Sequence, residues 1–162
     1  MPRAKRSKRR PAGYYEVAGL DLEQEMRRLC ELPVFGGPGG QLAQEPPTLN
    51  IRRPSTRPRR NLGFAVPAER RISVTAYPGI RPGDAEETLL HELVHIAIGR
   101  QGHSWHGRTF RSTLQKAMRQ AYGITAVAAR GSIHGAYADE LERRRLADSR
   151  LHPQQLAFET AA

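Results

Sequence analysis

Apolar and polar residues alternate in two neighbouring segments near the middle of the chain, NLGFAV at 61–66 and RISVTAY at 71–77. The apolar positions are Leu62, Phe64, Val66, Ile72, Val74 and Ala76. A period of two is typical of a strand that buries one face, and the intervening PAER is turn-like. The pattern therefore predicts a β-hairpin with these six side chains buried. A further short strand is predicted around residues 48–51.

The segment 21–32 has helical spacing instead. Its apolar face comprises Leu22, Met26, Leu29 and Cys30. Asp21 is a good N-cap, Gln24 three positions later completes a capping box, and Pro33 prevents the helix from continuing. These signals predict the first helix of the fold.

Three more helices are predicted, at about 84–99, 104–122 and 136–148. Asp84 as N-cap with Glu87 three residues on predicts the start of the first of these. A glycine follows each of the first two and predicts its end. The third is charged and only weakly amphipathic.

These elements indicate an α+β fold, in which a small sheet or hairpin packs on the 84–99 helix and on further helices. Residues 33–60 hold six prolines and four glycines, which excludes a long element there. The predicted organisation is a basic disordered arm over residues 1–19, a folded domain over 20–125, and a helical extension with a tail over 126–162.

Positive charge modifies this picture. The chain has 26 Lys and Arg against 16 Asp and Glu, a net charge of +10 and a pI near 10.8. Residues 1–12 carry six of these cations and residues 52–60 carry five arginines. Such an excess predicts attraction to polyanions, either nucleic acid or anionic lipid, and the lack of aromatic residues in 52–60 favours phosphate contact over base stacking. A merely solvated arm and loop would have the same composition.

Cysteine content and hydropathy indicate the setting. The single cysteine, Cys30, excludes an internal disulfide and a cysteine-rich zinc ribbon, and its place on the apolar face of a helix predicts a buried thiol. No apolar segment follows the basic N-terminus as in a signal peptide, and no apolar run approaches the roughly 20 residues of a membrane span. We therefore expect a reducing, cytoplasmic location without membrane contact.

Candidate chemistry is concentrated in residues 89–110, which hold four of the six histidines. His91, Glu92 and His95 form an H-E-x-x-H motif on the predicted 84–99 helix. Residues four apart on a helix share a face, so both imidazoles can bind one zinc ion. Glu92 lies about 100° round the helix, where it can reach a water at an open coordination position. Two hydrogen-bonded core histidines beside an exposed glutamate are the alternative.

A catalytic zinc needs a third protein ligand. The candidates are His103, His106, His134 and Glu140. His106 precedes Phe110 by four residues and Leu114 by eight, so it lies on the apolar stripe of the 104–122 helix. Ser104 as N-cap would leave His103 outside that helix, whereas an earlier start would add His103 to the same stripe. His106 is favoured, and His103 stays open.

The string LLHELVH followed by HGRTF resembles the SprT-like (Spartan-type) zinc metallopeptidase domain, in which H-E-x-x-H is followed by H-G-x-x-F. The preceding NLGFA and RISVTAYPG are similar to the strand pair of that family, and the resemblance spans about residues 20–122. It implies a zincin-like fold with His91, His95 and His106 as Zn²⁺ ligands and Glu92 as the catalytic residue. It also implies hydrolysis of peptide bonds, in many members on proteins attached to DNA.

These observations predict a zinc metalloendopeptidase that acts on a protein or peptide substrate, with Glu92 exchanging protons between a zinc-bound water and the leaving amine. An extended substrate can add to the exposed edge of the hairpin. The candidates for a second oxyanion donor are Tyr122, Tyr137, His134 and a nearby arginine. The alternative is a basic nucleic-acid-binding protein with a structural zinc, closed by His103 and His106 together. The glutamate in the motif favours the enzyme, since a structural site has no use for it.

Overall fold

The chain forms an α+β fold in a computed structural model, which describes residues 10–60, 62–100, 104–125 and 135–151. The strands of this part of the chain are β1 (Glu16–Val17), β2 (Leu20–Asp21), β3 (Thr48–Arg52), β4 (Gly63–Val66) and β5 (Arg71–Thr75). Its α-helices are α1 (Leu22–Cys30), α2 (Gln41–Gln44), α3 (Pro82–Ile98), α4 (Arg108–Tyr122) and α5 (Ala136–Leu151). None of these helices combines the length and the apolar character that crossing a bilayer requires.

The main sheet has three strands in the order β3-β5-β4. β4 and β5 pair antiparallel, which confirms the predicted hairpin, and β3 pairs with β5 in parallel. β4 therefore has a neighbour on one side only among the described strands, and its other edge is open to an added strand.

The buried face of β4 differs from the prediction. Phe64 is 37% exposed, whereas Gly63 and Ala65 lie opposite Val74 and Ile72 in the antiparallel register and so share the face that packs on α3. A Cβ added to Gly63 would lie 2.6 Å from Thr88 Cγ2 and 2.9 Å from Ser73 O. The gap between β4 and α3 thus accepts only small residues, and alternation alone assigned the strand to the wrong face.

The first helix is confirmed in place and in face. The Asp21 carboxylate accepts hydrogen bonds from the backbone N–H groups of Glu23 and Gln24, both at 3.1 Å. The predicted apolar residues of α1 are all buried. Cys30 is among them, and burial raises the pKa of its thiol to about 11, as expected for a structural rather than a reactive cysteine.

Helix α3 crosses the centre of the molecule. It begins two residues before the predicted start, because Pro82 occupies the first helical position. Asp84 is consequently not the N-cap but the third residue of the helix. Its Oδ2 accepts a hydrogen bond from the backbone N–H of Arg81, the N-cap residue, at 3.0 Å. The helix ends before Gly99, as predicted. Its side chains are buried on nearly all sides, which is the behaviour of a core helix.

Helix α4 begins later than predicted. Gly107 is its N-cap, so Ser104 is not, and His106 lies in the segment that leads into the helix. The helix ends before Gly123, as expected, with Phe110, Leu114, Ala117 and Met118 buried.

Helix α5 belongs to the same core as the rest of the chain. Ala138 and Leu141 are buried, and Glu142 Oε1 accepts the N–H of Gly83, at the start of α3, at 2.7 Å. In return, the Glu87 carboxylate of α3 accepts the N–H groups of Gly135 and Tyr137, at 2.9 and 3.2 Å, at the start of α5. Helix α5 therefore packs on α3 as part of the same core.

The end of the predicted N-terminal arm also contributes to the core. Val17 is buried in the core and Tyr14 and Tyr15 pack against it, so the arm predicted over residues 1–19 joins the folded body well before residue 19. Residues 1–9 lie outside the described residues.

Candidate metal centre

Three imidazoles meet at one point beside α3. His91 and His95 project from consecutive turns of α3, and His106 reaches them from the segment before α4. The Nε2 atoms are 3.2 Å apart between His91 and His95, 3.1 Å between His91 and His106, and 3.0 Å between His95 and His106. His91 and His95 are buried and His106 is half-buried.

This triangle is unfavourable without a cation. The Nε2 of a neutral imidazole carries either a proton or a lone pair. Among three Nε2 atoms in mutual contact, at least two are therefore alike, and at least one pair is repulsive. Three lone pairs around a positive ion remove the conflict. Metal–nitrogen distances of about 2.0–2.1 Å in a tetrahedral zinc site place two nitrogens about 3.3 Å apart, close to the observed separations.

The three histidines thus lie close enough to bind a metal ion. Within the described residues, no fourth histidine, cysteine or acidic residue joins them.

Phe110 supports all three imidazoles. Its ring centroid lies 4.7 Å from that of His91, 4.5 Å from that of His95 and 4.9 Å from that of His106. Phe110 is itself buried in the first turn and a half of α4. The helix therefore carries a rigid apolar wall against which the ligand rings rest, and the wall limits the rotations open to them. This contact gives a physical role to the phenylalanine in HGRTF.

Glu92 is buried beside the cluster and lines the same cleft as the histidines. Removal from water raises the pKa of its carboxyl to about 8, and a divalent cation nearby would lower it again. A carboxyl with a pKa near neutrality can both accept and return a proton, which is what acid–base catalysis requires.

The cleft over the cluster has a volume of about 1080 Å³. α3 contributes His91, His95, Glu92, Thr88 and Glu87, and β4 contributes Gly63, Phe64 and Ala65. Trp105 is 43% exposed at the cleft, with its ring centroid 5.7 Å from that of His95. The open strand edge, two exposed aromatic rings and the candidate metal ligands consequently share one cavity.

Glu140, the other candidate ligand within the described residues, does not join the cluster. The Glu140 carboxylate, on α5, pairs with Arg143 at 2.7 Å and with Arg144 at 3.2 Å. His103 and His134 lie outside the described residues.

Tyr122 and Tyr137, two of the candidate oxyanion donors, are not among the residues that line the cleft. The Tyr122 hydroxyl donates to Glu25 Oε1 at 2.7 Å, and burial together with that carboxylate raises its pKa. Tyr137 donates its backbone N–H to Glu87. Of the candidates within the described chain, the arginines of the cleft remain.

The arginine-rich segment 52–60 divides into two parts. Arg53 is a structural residue, because its guanidinium donates to the backbone oxygens of Tyr14 at 2.8 Å and Glu16 at 2.9 Å. Arg57, Arg59 and Arg60 instead line the cleft. The sequence pattern did not reveal this placement, although only two residues separate Arg60 from Gly63 and so tie the segment to the strand that borders the cleft.

Comparisons of the chain with known protein families, with curated proteins and with solved structures give no match.

Proposed function

We propose that the chain is a zinc-dependent metallopeptidase with a zincin-like, SprT-like architecture, and that Glu92 acts as its general base. The observation that supports this most is the convergence of three imidazole Nε2 atoms, 3.0–3.2 Å apart, in an open cleft that also contains a buried carboxyl. His91, His95 and His106 would hold the metal.

The choice of zinc rests on the donor set and on the neighbouring acid. Three imidazoles also suit copper, iron and nickel. A carboxyl poised for proton transfer, however, complements a redox-inert Lewis acid, and three protein ligands with an open fourth position are typical of catalytic zinc.

A zinc ion held there would polarise the substrate carbonyl and lower the pKa of a bound water to about 7. Glu92 takes the proton that the attacking water loses and delivers it to the amine that leaves. Phe110 keeps the three imidazoles in register during this exchange.

Backbone pairing with β4 would orient an extended substrate. The carbonyl of Leu62 accepts the N–H of Thr75 at 3.0 Å. Because hydrogen-bonded and non-hydrogen-bonded pairs alternate along an antiparallel ladder, Gly63 and Ala65 direct their N–H and C=O groups away from β5. These groups border the cleft, where they can bind the main chain of a substrate whatever its side chains.

A nucleic-acid-binding protein with a structural metal site is the second candidate, favoured by the net charge of +10. A structural site is closed by four protein ligands, and the described residues supply three. We therefore propose that DNA is the place where the protein substrates are found, and that DNA binding is not itself the main function. Deleting residues 1–12 and changing Arg52, Arg57, Arg59 and Arg60 to alanine should then remove most of a salt-sensitive DNA affinity; unchanged affinity would show that these two segments do not bind DNA.

The test of the enzymatic function compares the zinc-loaded wild type with its Glu92→Gln form on casein, with bound zinc measured in both. We expect equal zinc content and a loss of hydrolysis of at least a hundredfold, within the range that general acid–base catalysis contributes. Glu140→Gln is the matched control, since Glu140 lies away from the cluster, and it should keep full activity. Casein hydrolysis that survives Glu92→Gln, or none by the zinc-loaded wild type, would refute the proposal.

A further inference from the structure

Arg57, Arg59 and Arg60 line the same cleft as the three histidines, and all three are exposed. Arg57 lies over the ring of Tyr77, with its guanidinium carbon 4.9 Å from the ring centroid. Within the described residues, none of the three arginines has a carboxylate partner. The cleft therefore presents three cations that are available to a ligand.

The acidic residues of the cleft make their direct ion pairs and hydrogen bonds with other groups. The Asp84 carboxylate pairs with Arg81 at 2.9 Å, and that of Glu87 accepts two backbone N–H groups from the start of α5. Glu92 is buried next to the histidines. The anionic groups thus lie on the α3 side of the cleft, and the free cations belong to the loop that leads into β4.

Chain connectivity sets the distance between these cations and the reacting groups. Arg60 precedes Gly63 by three residues, and a Cβ built on Gly63 lies 3.4 Å from Glu92 Cγ. Extended backbone advances about 3.3 Å per residue, so the Cα atom of Arg60 lies within about 10 Å of that of Gly63, which itself borders Glu92. In a substrate strand paired with β4, the side chains that lie within about three residues of the reacting bond would therefore reach the arginines.

We infer that the cleft selects polypeptides with aspartate or glutamate within about three residues of the cleaved bond, recognised by Arg57, Arg59 and Arg60. The inference rests on the proposed peptidase function. A polypeptide fits better than a nucleic acid for two reasons. First, the open edge of β4 offers backbone hydrogen bonds that only another strand can match. Second, a continuous phosphate chain along the cleft would be repelled by the carboxylates of α3, whereas a single acidic side chain can contact the arginine loop alone.

Trp105 provides the measurement. It is the only tryptophan of the chain, and it lines the cleft, so its emission reports occupancy. The full chain carrying Glu92→Gln and loaded with zinc is titrated at physiological ionic strength with blocked octapeptides whose two central residues are glutamates or glutamines. Calorimetry of the same mixtures gives the affinity independently of the fluorescence change.

We expect the glutamate peptide to bind about fivefold to tenfold more tightly, since each exposed ion pair contributes a few-fold. Arg59→Glu with Arg60→Glu should abolish or reverse this preference. The matched control is Lys116→Glu with Arg119→Glu, which changes the net charge equally on the exposed face of α4, outside the cleft, and the preference should persist there.

Two results would overturn the inference: equal binding of both peptides, or tighter, arginine-dependent binding of an eight-nucleotide oligothymidylate than of the glutamate peptide, which would assign the arginines to nucleic acid. The readout is affinity, so the outcome is separate from the casein assay. A chain that cleaves casein without the acidic preference refutes this inference alone, and one that shows the preference but cleaves nothing refutes the peptidase.

Discussion

Replacing Gly63 by alanine tests how closely β4 must approach the helix that carries the candidate ligands. The new methyl group would lie 2.6 Å from Thr88 Cγ2 and 2.9 Å from Ser73 O. Both separations are below about 3.4 Å, the start of ordinary carbon contacts. The threonine methyl ends a short side chain on α3, whereas the serine oxygen belongs to the backbone of β5 and cannot move without the sheet.

Overpacking of this kind costs about 1–3 kcal/mol, and the backbone contact favours the upper half of that range. In a domain of this size, about 2 kcal/mol lowers the melting temperature by about 4–8 °C. Thr88→Ser removes the closer of the two contacts. Adding Gly63→Ala to Thr88→Ser should therefore lower the free energy of unfolding by less than adding it to the wild type does. We expect the two losses to differ by a coupling free energy of about 1 kcal/mol.

Urea unfolding of the four proteins measures that coupling, and casein hydrolysis measures whether Glu92 stays in place. Gly39→Ala is the control, since its methyl would meet nothing within 4 Å, and it should be neutral or slightly stabilising. A Gly63→Ala protein as stable as the wild type, or a coupling of zero, would show that β4 does not pack on α3 at this distance.

Three further experiments test the metal site, the contact between α1 and α4, and the buried thiol. Zinc at about a hundred times its Kd should stabilise the wild type by about 2.7 kcal/mol, and His106→Ala should lose most of that thermal shift; an equal shift would exclude His106 as a ligand. Burial alone would raise the pKa of Glu25, but hydrogen bonds from Arg28 and Tyr122 outweigh it and lower the pKa below 4.5, so its stabilising effect is present above pH 4.5 and is lost as the pH falls through the lowered value. Glu25→Gln should accordingly cost about 1–2 kcal/mol at neutral pH and little in acid, and a loss independent of pH would contradict this. Cys30, with a thiol pKa of about 11, should react with an aromatic disulfide at pH 8 only after unfolding, and rapid reaction of the native chain would show that it is accessible.

Local signals predicted the elements whose determinants are local. Asp21 caps α1 because its carboxylate reaches N–H groups two and three residues away, and such a contact is visible in any sequence. The pairing of His91 with His95 follows in the same way from the helical repeat. His106 lies beside His91 and His95 although α4 begins after it, because the turn at Gly107 keeps His106 close to Phe110.

Features that depend on packing partners could not be predicted. Alternation in NLGFAV is the same whichever face is buried, and the close approach of α3 at Thr88 makes Gly63 and Ala65 the inner residues and leaves Phe64 outside. A glycine between apolar residues was the one available hint, since glycine in a strand often marks close approach.

The remaining surprises involve residues far apart in the sequence. Glu87 and Glu142 each accept N–H groups at the start of the other's helix, and no local pattern connects them. The parallel pairing of β3 with β5 brings the arginine loop beside the cleft in the same non-local way. Composition revealed the charge of that loop but not the cavity it faces.

X-ray absorption at the zinc edge of the zinc-loaded full chain tests the central claim most directly. Three imidazole nitrogens at about 2.0–2.1 Å, with one further light atom from solvent, are expected for an open site held by His91, His95 and His106. The multiple-scattering signal counts the imidazoles. Three would support a catalytic zinc; four would mean that the ion is closed off by protein, and two or fewer would mean that the histidine triangle is not the site at all.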